Sequence, residues 1–449
     1  MSELFHSVTL ISDKCKGCIN CIKRCPTEAI RVRNGKAHII SERCIDCGEC
    51  IRICPHRAKQ AIYDPLDVMF HYKYTVALPA PSLYGQFHNL DDVDIILNAL
   101  LKMGFHAVFE VSKAAEIHSD CTRRLITENK LKKPIISSAC PAVVRLIRVR
   151  FPELLENLLP LSAPIEIAAS MARKEAMEKT GLKSEEIGII FISPCAAKNS
   201  AVKNPFGILK SEVDHVVAIS DVYPKLLSFM KEDEMEENLS DSGIIGVGWA
   251  SSGGEAAGSL VENYLAADGI ENVIKVLEDI EDEKFSDLDF IELNACSGGC
   301  VGGVLTVENP YVARARLKKL RKYLPVAVNH IGSTIPEEAN LVCPIEPITV
   351  LPLSNNITEA MAKMAALEEI EKNFPALDCG SCGAPSCHAL AEDTIRGIAS
   401  EGDCIFRLRE HINLLIEEMS MLDKFIPPPF RNTEGDTHDS KNNGEEPKK

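Results

Sequence analysis

The chain has 449 residues and a formal net charge of −16; nearly half of its residues are apolar and a quarter are charged. That length exceeds one ordinary core, so roughly two to four domains are expected, and the acidic balance excludes nucleic acid, whose phosphates need a basic face. Eighteen cysteines, mostly in tight CxxC groups of a large chain, indicate metal in a reducing compartment rather than a disulfide framework. The opening MSELFHSVTL lacks the layout of a signal peptide, and no apolar run reaches the ~20 residues of a membrane span. A cytoplasmic protein, off the membrane, is expected.

Residues 1–66 contain a repeat. Cys15, Cys18, Cys21 and Cys25-Pro26 recur 29 positions later as Cys44, Cys47, Cys50 and Cys54-Pro55. CxxCxxCxxxCP is the ligand run of bacterial ferredoxins, whose fourth cysteine serves the other cluster. Cys15, Cys18, Cys21 and Cys54 are therefore expected to hold one [4Fe-4S] cubane, and Cys44, Cys47, Cys50 and Cys25 the second. Zinc, the alternative, would want paired CxxC units with four local ligands. Two adjacent cubanes mean electron transfer.

From about Tyr72 the texture changes, and residues 67–365 are read as a central α/β domain. Strand-like runs (TVALPA, HAVFEV, KPIISS, EIGIIFI, HVVAIS, GIIGVGW, DFIELNA) alternate with helical stretches, which points to layers around mostly parallel strands. Cys140, Cys195 and Cys296 each follow such a run, and ligands gather at the carboxyl ends of parallel strands. Three segments stand out: Ser137-Ser138-Ala139-Cys140-Pro141, Ser193-Pro194-Cys195-Ala196-Ala197-Lys198, and the stretch from Glu292 to Gly303 that contains CSGGC. Four such cysteines beside glycines point to a cubane packed tightly against backbone, with Lys198 near for a negative ligand. The plainer alternative is a set of small buried hydrophobes.

Residues 366–425 are read as a small module and helix, entered by a charged helical stretch from about 366. Cys379, Cys382, Cys387 and Cys404 lie in a Gly/Pro-rich segment where four thiolates can surround a cubane, or zinc, with 388–399 helical. Ile405, Leu408, Ile412, Leu415, Met419 and Leu422 step by 3 and 4, a heptad seam for a homodimer, a partner helix, or packing on its own domain. Residues 426–449 are polar and charged and are expected to be disordered. Cys121 and Cys343 are read as buried free thiols, and Trp249 as core or pocket wall.

The three central segments resemble the signature stretches of the iron-iron (FeFe) hydrogenases, and with the ferredoxin repeat the resemblance runs over residues 1–365. It implies an α/β multidomain oxidoreductase in which Cys140, Cys195, Cys296 and Cys300 ligate a [4Fe-4S] cubane, Cys300 also bridging to a diiron subsite with carbon monoxide, cyanide and an azadithiolate (the H-cluster). Lys198 matches the lysine that pairs with one cyanide, and Ala80-Pro81-Ser82 the segment that touches the other. The implied reaction is reversible formation of hydrogen from two protons and two electrons. The implied partners are a ferredoxin or signalling protein and hydrogenase maturation proteins, in an anaerobic cytoplasm. The C-terminal segment resembles a [4Fe-4S] module of sensory hydrogenases, bringing the cubanes to four.

The departures from the family bear on rate. Ala139 stands where catalytic relatives carry a proton-relaying cysteine, and Ser119 and Thr122 stand at two relay glutamates. Ser193 and Asn294 replace pocket methionines, Ile165 a glutamine, and Ala201 a glutamate. Proton transfer is then expected to use Glu292, Glu255, read at a strand end after Gly253-Gly254, or Glu116, the alternative being solvated surface glutamates. This pattern resembles the sensory branch without a PAS domain, often called group D, and implies slow turnover and hydrogen sensing. A ferredoxin-linked catalytic enzyme with another proton path, and a non-catalytic iron–sulfur assembly scaffold, are the alternatives.

Overall fold

The computed structural model describes residues 5–230, 237–350, 352–354 and 356–422; the expected tail lies outside them. Contacts divide the chain into one unit of Met1–Pro352 with Gly383–Pro385, and a second of Leu353–Cys382 with Ser386–Lys449. This partition falls upstream of the 365/366 boundary read from sequence. It also puts the ferredoxin-like repeat and the α/β layers in one body.

Strands β1 (Val8–Leu10), β2 (Ile30–Arg33), β3 (Lys36–Ile39) and β4 (Lys59–Ala61) pair antiparallel as β1–β4 and β2–β3. The sequence repeat is also a backbone repeat. The turn Ser12–Lys14 and helix Asn20–Lys23 recur as Ser41–Arg43 and Glu49–Arg52. Cys25 and Cys54 then accept matching N–H···S bonds from Ala29 and Ala58, at 3.2 and 3.3 Å.

The α/β layers carry β5 (Tyr74–Pro79), β6 (Ala107–Val108), β7 (Ile135–Ile136), β8 (Ile187–Ser193), β9 (His215–Ala218), β10 (Tyr264–Asp268) and β11 (Phe290–Asn294). All pair in parallel, as expected, in two sheets of order β6-β5-β8-β9 and β10-β11-β7. Every residue of β8 is buried, which is why EIGIIFI reads as an unbroken apolar run.

Two readings need correction. GIIGVGW is not a strand: Ile244–Gly248 is a short helix. Gly246 lies against the helix Val111–Glu128, where a Cβ would come within 2.2 Å of the Ser112 carbonyl oxygen. Glu255 accordingly lies in the first turn of the helix Gly254–Gly258, not at a strand end. Strand β10 carried too weak an apolar signal to be read.

One buried carboxylate joins the ferredoxin-like repeat to the α/β layers. Asp46, between Cys44 and Cys47, is fully buried and accepts from Arg145 (2.7 Å), Ser200 Oγ (2.8 Å) and the Val8 N–H (2.9 Å), with His6 Nδ1 at 3.0 Å. Burial alone would push Asp46 up, but the His6 hydrogen bond and the Arg145 charge hold it below the usual carboxylate range. Removing one partner of a buried pair strands the other, at a cost of about 3–5 kcal/mol. Asp46→Ala is thus expected to lower the melting temperature of the anaerobic protein sharply, with Arg145→Met less severe. A melt unchanged in Asp46→Ala would remove Asp46 from this role.

In the second unit the helical stretch expected from about 366 begins earlier, as Ile357–Lys372. The helix expected over 388–399 is Cys387–Ile395, with Ser386 Oγ accepting from the Ala389 N–H. The seam residues lie on one helix, Ile405–Leu422. Ile405, Leu408, Ile412, Leu415 and Met419 are 45–67 % exposed, so packing of the seam on its own unit is not what the structure has. No helix among the described residues is long and apolar enough to cross a membrane.

Candidate metal centre

The structure brings the ferredoxin-type cysteines together in two neighbouring groups. One small cavity is lined by Cys25, Cys44, Cys47 and Cys50, while Cys21 feels repulsion from Cys18, Cys15 and Cys54. Burial, above all, pushes the Cys50 thiol up to about 12. Buried, mutually repelling thiols favour a bound cation, which deprotonates them outright.

The central cysteines converge on one cleft at the carboxyl ends of both sheets. Cys140 follows β7, Cys195 follows β8, and Cys296 and Cys300 follow β11; all four line one cavity of about 790 Å³ between its walls, solvent included. Cys140 and Cys195 each sit at the start of a helix, Pro141–Arg150 and Ala196–Lys203, where the positive dipole end favours a thiolate. Burial, then repulsion from Cys296, raises Cys140 to about 11; burial and the same neighbours raise Cys195 further. Two glycines allow the close approach. A Cβ on Gly303 would lie 2.0 Å from the Pro194 carbonyl oxygen, and one on Gly299, at φ +89°, 2.4 Å from the Ser252 nitrogen.

The cavity's polar groups are few. Ala80, Pro81, Ser82, Ala139 and Lys198 all line it. Ser82 is fully buried, and its hydroxyl has no protein partner. The Lys198 ammonium lies 5.6 Å from the centroid of the Phe191 ring. An unpartnered hydroxyl, an ammonium and four thiols suit a group with soft, thiolate-bound iron and anionic acceptor ligands. These residues therefore fit an H-cluster.

Glu255 and Glu292 line the same cavity and are buried, not solvated. Glu292 accepts from the Gly253 and Ala256 N–H groups (3.0 and 2.8 Å) and from Asn294 Nδ2 (2.6 Å). Glu255 has one donor, Ser137 Oγ at 2.7 Å, and its other oxygen is buried without a partner. Burial, then the charge of Glu292, pushes Glu255 well above the usual range. Burial raises Glu292 too, but its three donors favour the charged form, so Glu255 is the member that holds a proton more tightly.

Glu116, also considered for proton transfer, does not line the cavity. Its oxygens accept from Gly243, Val328 and Asn329 N–H groups and from Asn329 Nδ2, which makes it a latch between segments. Ser119 accepts from Trp249 Nε1 at 2.9 Å, and Thr122 bonds back to the His118 carbonyl. Trp249 lines the cavity with its ring edge-on to His118. Burial lowers His118 to about 3, so it is neutral. A neutral wall stands there. Ile165 and Ala201 line a second cavity that meets the first at Ala139, Pro141 and Lys198. Cys121 is buried as expected, whereas Cys343 is only half-buried. In the second unit Cys404 is buried, Cys382 and Cys387 are half-buried and Cys379 is exposed; the Cys387 N–H donates to Asp378 at 2.6 Å.

Fold and cysteine sets together define an iron–sulfur protein with a ferredoxin-like domain on a hydrogenase-like α/β domain. The profile of the iron only hydrogenase large subunit, C-terminal domain, matches residues 73–261 and 230–304, more than half of the chain, and the chain belongs to that family. A 4Fe-4S dicluster domain matches 7–55, and an Fe–S cluster segment matches 374–406. The chain is 26 % identical over 370 residues to the periplasmic [Fe] hydrogenase large subunit of Nitratidesulfovibrio vulgaris, covering 67 % of this chain and 86 % of that protein. It is 24 % identical over 308 residues to iron hydrogenase 1 of Clostridium pasteurianum, covering 56 % of this chain and about half, 53 %, of that protein's length. It is also 22 % identical over 259 residues to the "Probable cytosolic Fe-S cluster assembly factor oxy-4" of Caenorhabditis elegans, covering 46 % of this chain and 56 % of that protein. A solved variant of [FeFe]-hydrogenase HydA1 from Chlamydomonas reinhardtii aligns with a TM-score of 0.45 at 15 % identity, over 58 % of this chain and 86 % of that one.

Proposed function

We propose that this chain is an iron-iron hydrogenase that interconverts hydrogen with two protons and two electrons, slowly, and reports hydrogen to a partner protein as a redox signal. The observation that carries this reading is the convergence of Cys140, Cys195, Cys296 and Cys300 on one cavity that also holds the unpartnered Ser82 hydroxyl.

When bound, the diiron group with carbon monoxide, cyanide and azadithiolate supplies the splitting of hydrogen into a hydride and a proton. The chain's own residues hold it and manage protons. The four thiols ligate the cubane, Ser82 donates and Lys198 places its charge toward anionic ligands, and the apolar walls keep water out. Ala139 presents a methyl group, which carries no proton, and Ser119, Trp249 and neutral His118 close the direction where the family has glutamates. Glu255 holds a proton with its free oxygen inside the cavity, and Glu292, anchored by backbone donors, provides the charge that retains it. One carboxyl in place of a relay of several groups supports low turnover, as suits a sensor. The eight ferredoxin-type cysteines would hold two cubanes, and Cys379, Cys382, Cys387 and Cys404 a fourth in the second unit, which would supply electron transfer. The exposed seam on Ile405–Leu422 supports a partner helix or a second copy there, and a cytoplasmic setting with maturation proteins completes the reading.

Likeness to the assembly factor favours a second reading, a scaffold with cubanes and no diiron subsite. Ser82, Lys198 and Glu255 weigh against it, because a cubane alone has no use for them inside the cavity. Maturation with the synthetic two-iron cofactor under strict anaerobiosis, followed by infrared spectroscopy with and without hydrogen, separates the readings. Carbon monoxide and cyanide bands that shift with hydrogen, alongside slow turnover, are expected. Absence of bands would favour the scaffold, and fast turnover a metabolic enzyme.

A further inference from the structure

A guanidinium from the ferredoxin repeat reaches the central cysteines. Arg52, on the helix Glu49–Arg52, donates through one terminal nitrogen to Cys296 Sγ at 3.1 Å and to the Gly302 carbonyl at 2.7 Å. Its other terminal nitrogen donates to Glu49 at 2.7 Å and to the Cys47 carbonyl at 3.3 Å. The fork thus spans a ligand loop of one cysteine set and a thiol of another, with Glu49 fixing its plane. The counterpart of Arg52 in the first repeat is Lys23, so the guanidinium is not a requirement of the repeat itself. Packing runs the same way: Ile45 and Cys47 share an apolar cluster with Cys140 and Cys195, and Gly48 lies against Val304.

We propose that Arg52 is a positioning residue that raises the reduction potential of the cubane at Cys296 and so draws electrons to it from the neighbouring cubane of Cys25, Cys44, Cys47 and Cys50. This rests on the reading that Cys140, Cys195, Cys296 and Cys300 hold a cubane. A reduced cluster carries more negative charge on its sulfurs, so a cationic N–H···S donor stabilises the reduced form more than the oxidised one. The step is a one-electron transfer: the ferredoxin-type cubane is oxidised, the central cubane is reduced, and no bond or proton moves. The second nitrogen of the fork ties the two sites at a fixed separation.

The test uses the full chain expressed without maturation proteins, so that it carries cubanes but no diiron subsite. Redox titrations followed by electron paramagnetic resonance are run on the wild type, Arg52→Met and Arg52→Lys, with the central cubane assigned as the signal lost in Cys140→Ser. Arg52→Met is expected to shift the oxidised-to-reduced ratio of that signal about tenfold toward oxidised at a fixed potential, which is 59 mV for one electron. Arg52→Lys, which keeps the charge but not the fork, is expected to recover less than half of the shift. An unchanged ratio in Arg52→Met, or an equal shift in every cubane, would overturn the proposal while leaving the four-thiol site standing. If Cys140→Ser loses neither iron nor any signal, the site itself is wrong, and the proposal falls with it.

Discussion

Glu255→Gln is expected to slow hydrogen turnover by about 10²–10⁴-fold, the usual contribution of a positioned acid–base group, with iron content and infrared bands unchanged. The substitution keeps the shape and the bond from Ser137 but removes the one proton held inside the cavity. The same variant is expected to melt higher than the wild type at neutral pH. The sign follows from linkage. Below the ordinary carboxylate value of 4.5 Glu255 is protonated folded or unfolded and contributes nothing. Above it the unfolded chain ionises freely while burial and Glu292 keep the folded carboxyl protonated, so stability falls with rising pH until the raised folded value is passed. Glutamine escapes that penalty, and the gap between the two melts should close toward pH 4. A variant that melts higher yet turns over normally would remove Glu255 from proton transfer. Glu292→Ala is expected to slow turnover as well, but with a lower melt, because Gly253 and Ala256 lose their acceptor.

Lys198→Met is expected to leave the central cubane assembled and to reduce diiron retention about tenfold or more, read as loss of the carbon monoxide and cyanide bands after maturation. Among the described residues no carboxylate pairs with Lys198, which lines both cavities. A charge-assisted hydrogen bond from such a group is worth about 1.5–3 kcal/mol, and methionine preserves the apolar stem without the charge. Cubane iron should be retained, since the four thiols stay in place without the ammonium, although its charge lowers the Cys195 and Cys300 thiols. Bands of wild-type strength in this variant would mean that the subsite is held by the thiol bridge and Ser82 alone.

The doubled cysteine run was legible in full because ligand spacing in a ferredoxin is local: the offset of 29 residues fixes turn, helix and ligand together. The strongly apolar strands β5, β8 and β11 were legible for a related reason, being buried on both faces. The short β7 was legible within KPIISS, whereas β10 carries no run that would single it out. GIIGVGW misled because its glycines serve close approach to another helix, a tertiary fact that imitates a strand locally. At the site, motif residues could be named from their order in the chain. Which glutamate points where could not, since Glu255, Glu292 and Glu116 differ only in the donors that fold around them. Ser137 and Arg52 lie inside quoted motifs, but nothing in those motifs marks their roles, and both act through partners more than a hundred positions away.

The four central cysteines do not come from one scaffold. Cys195 leaves the four-stranded sheet, whereas Cys140, Cys296 and Cys300 leave the three-stranded one. On the proposed function, a cubane held by these four thiols would be a rivet through the seam of the domain, and its insertion would be part of folding. That imposes a chronology. On that function the cubane would arrive while the seam could still open, and the two-iron group would enter afterwards, through space that the rivet had already shaped. Damage to the cubane would accordingly cost more than a redox centre, because it would unfasten the walls that hold everything else.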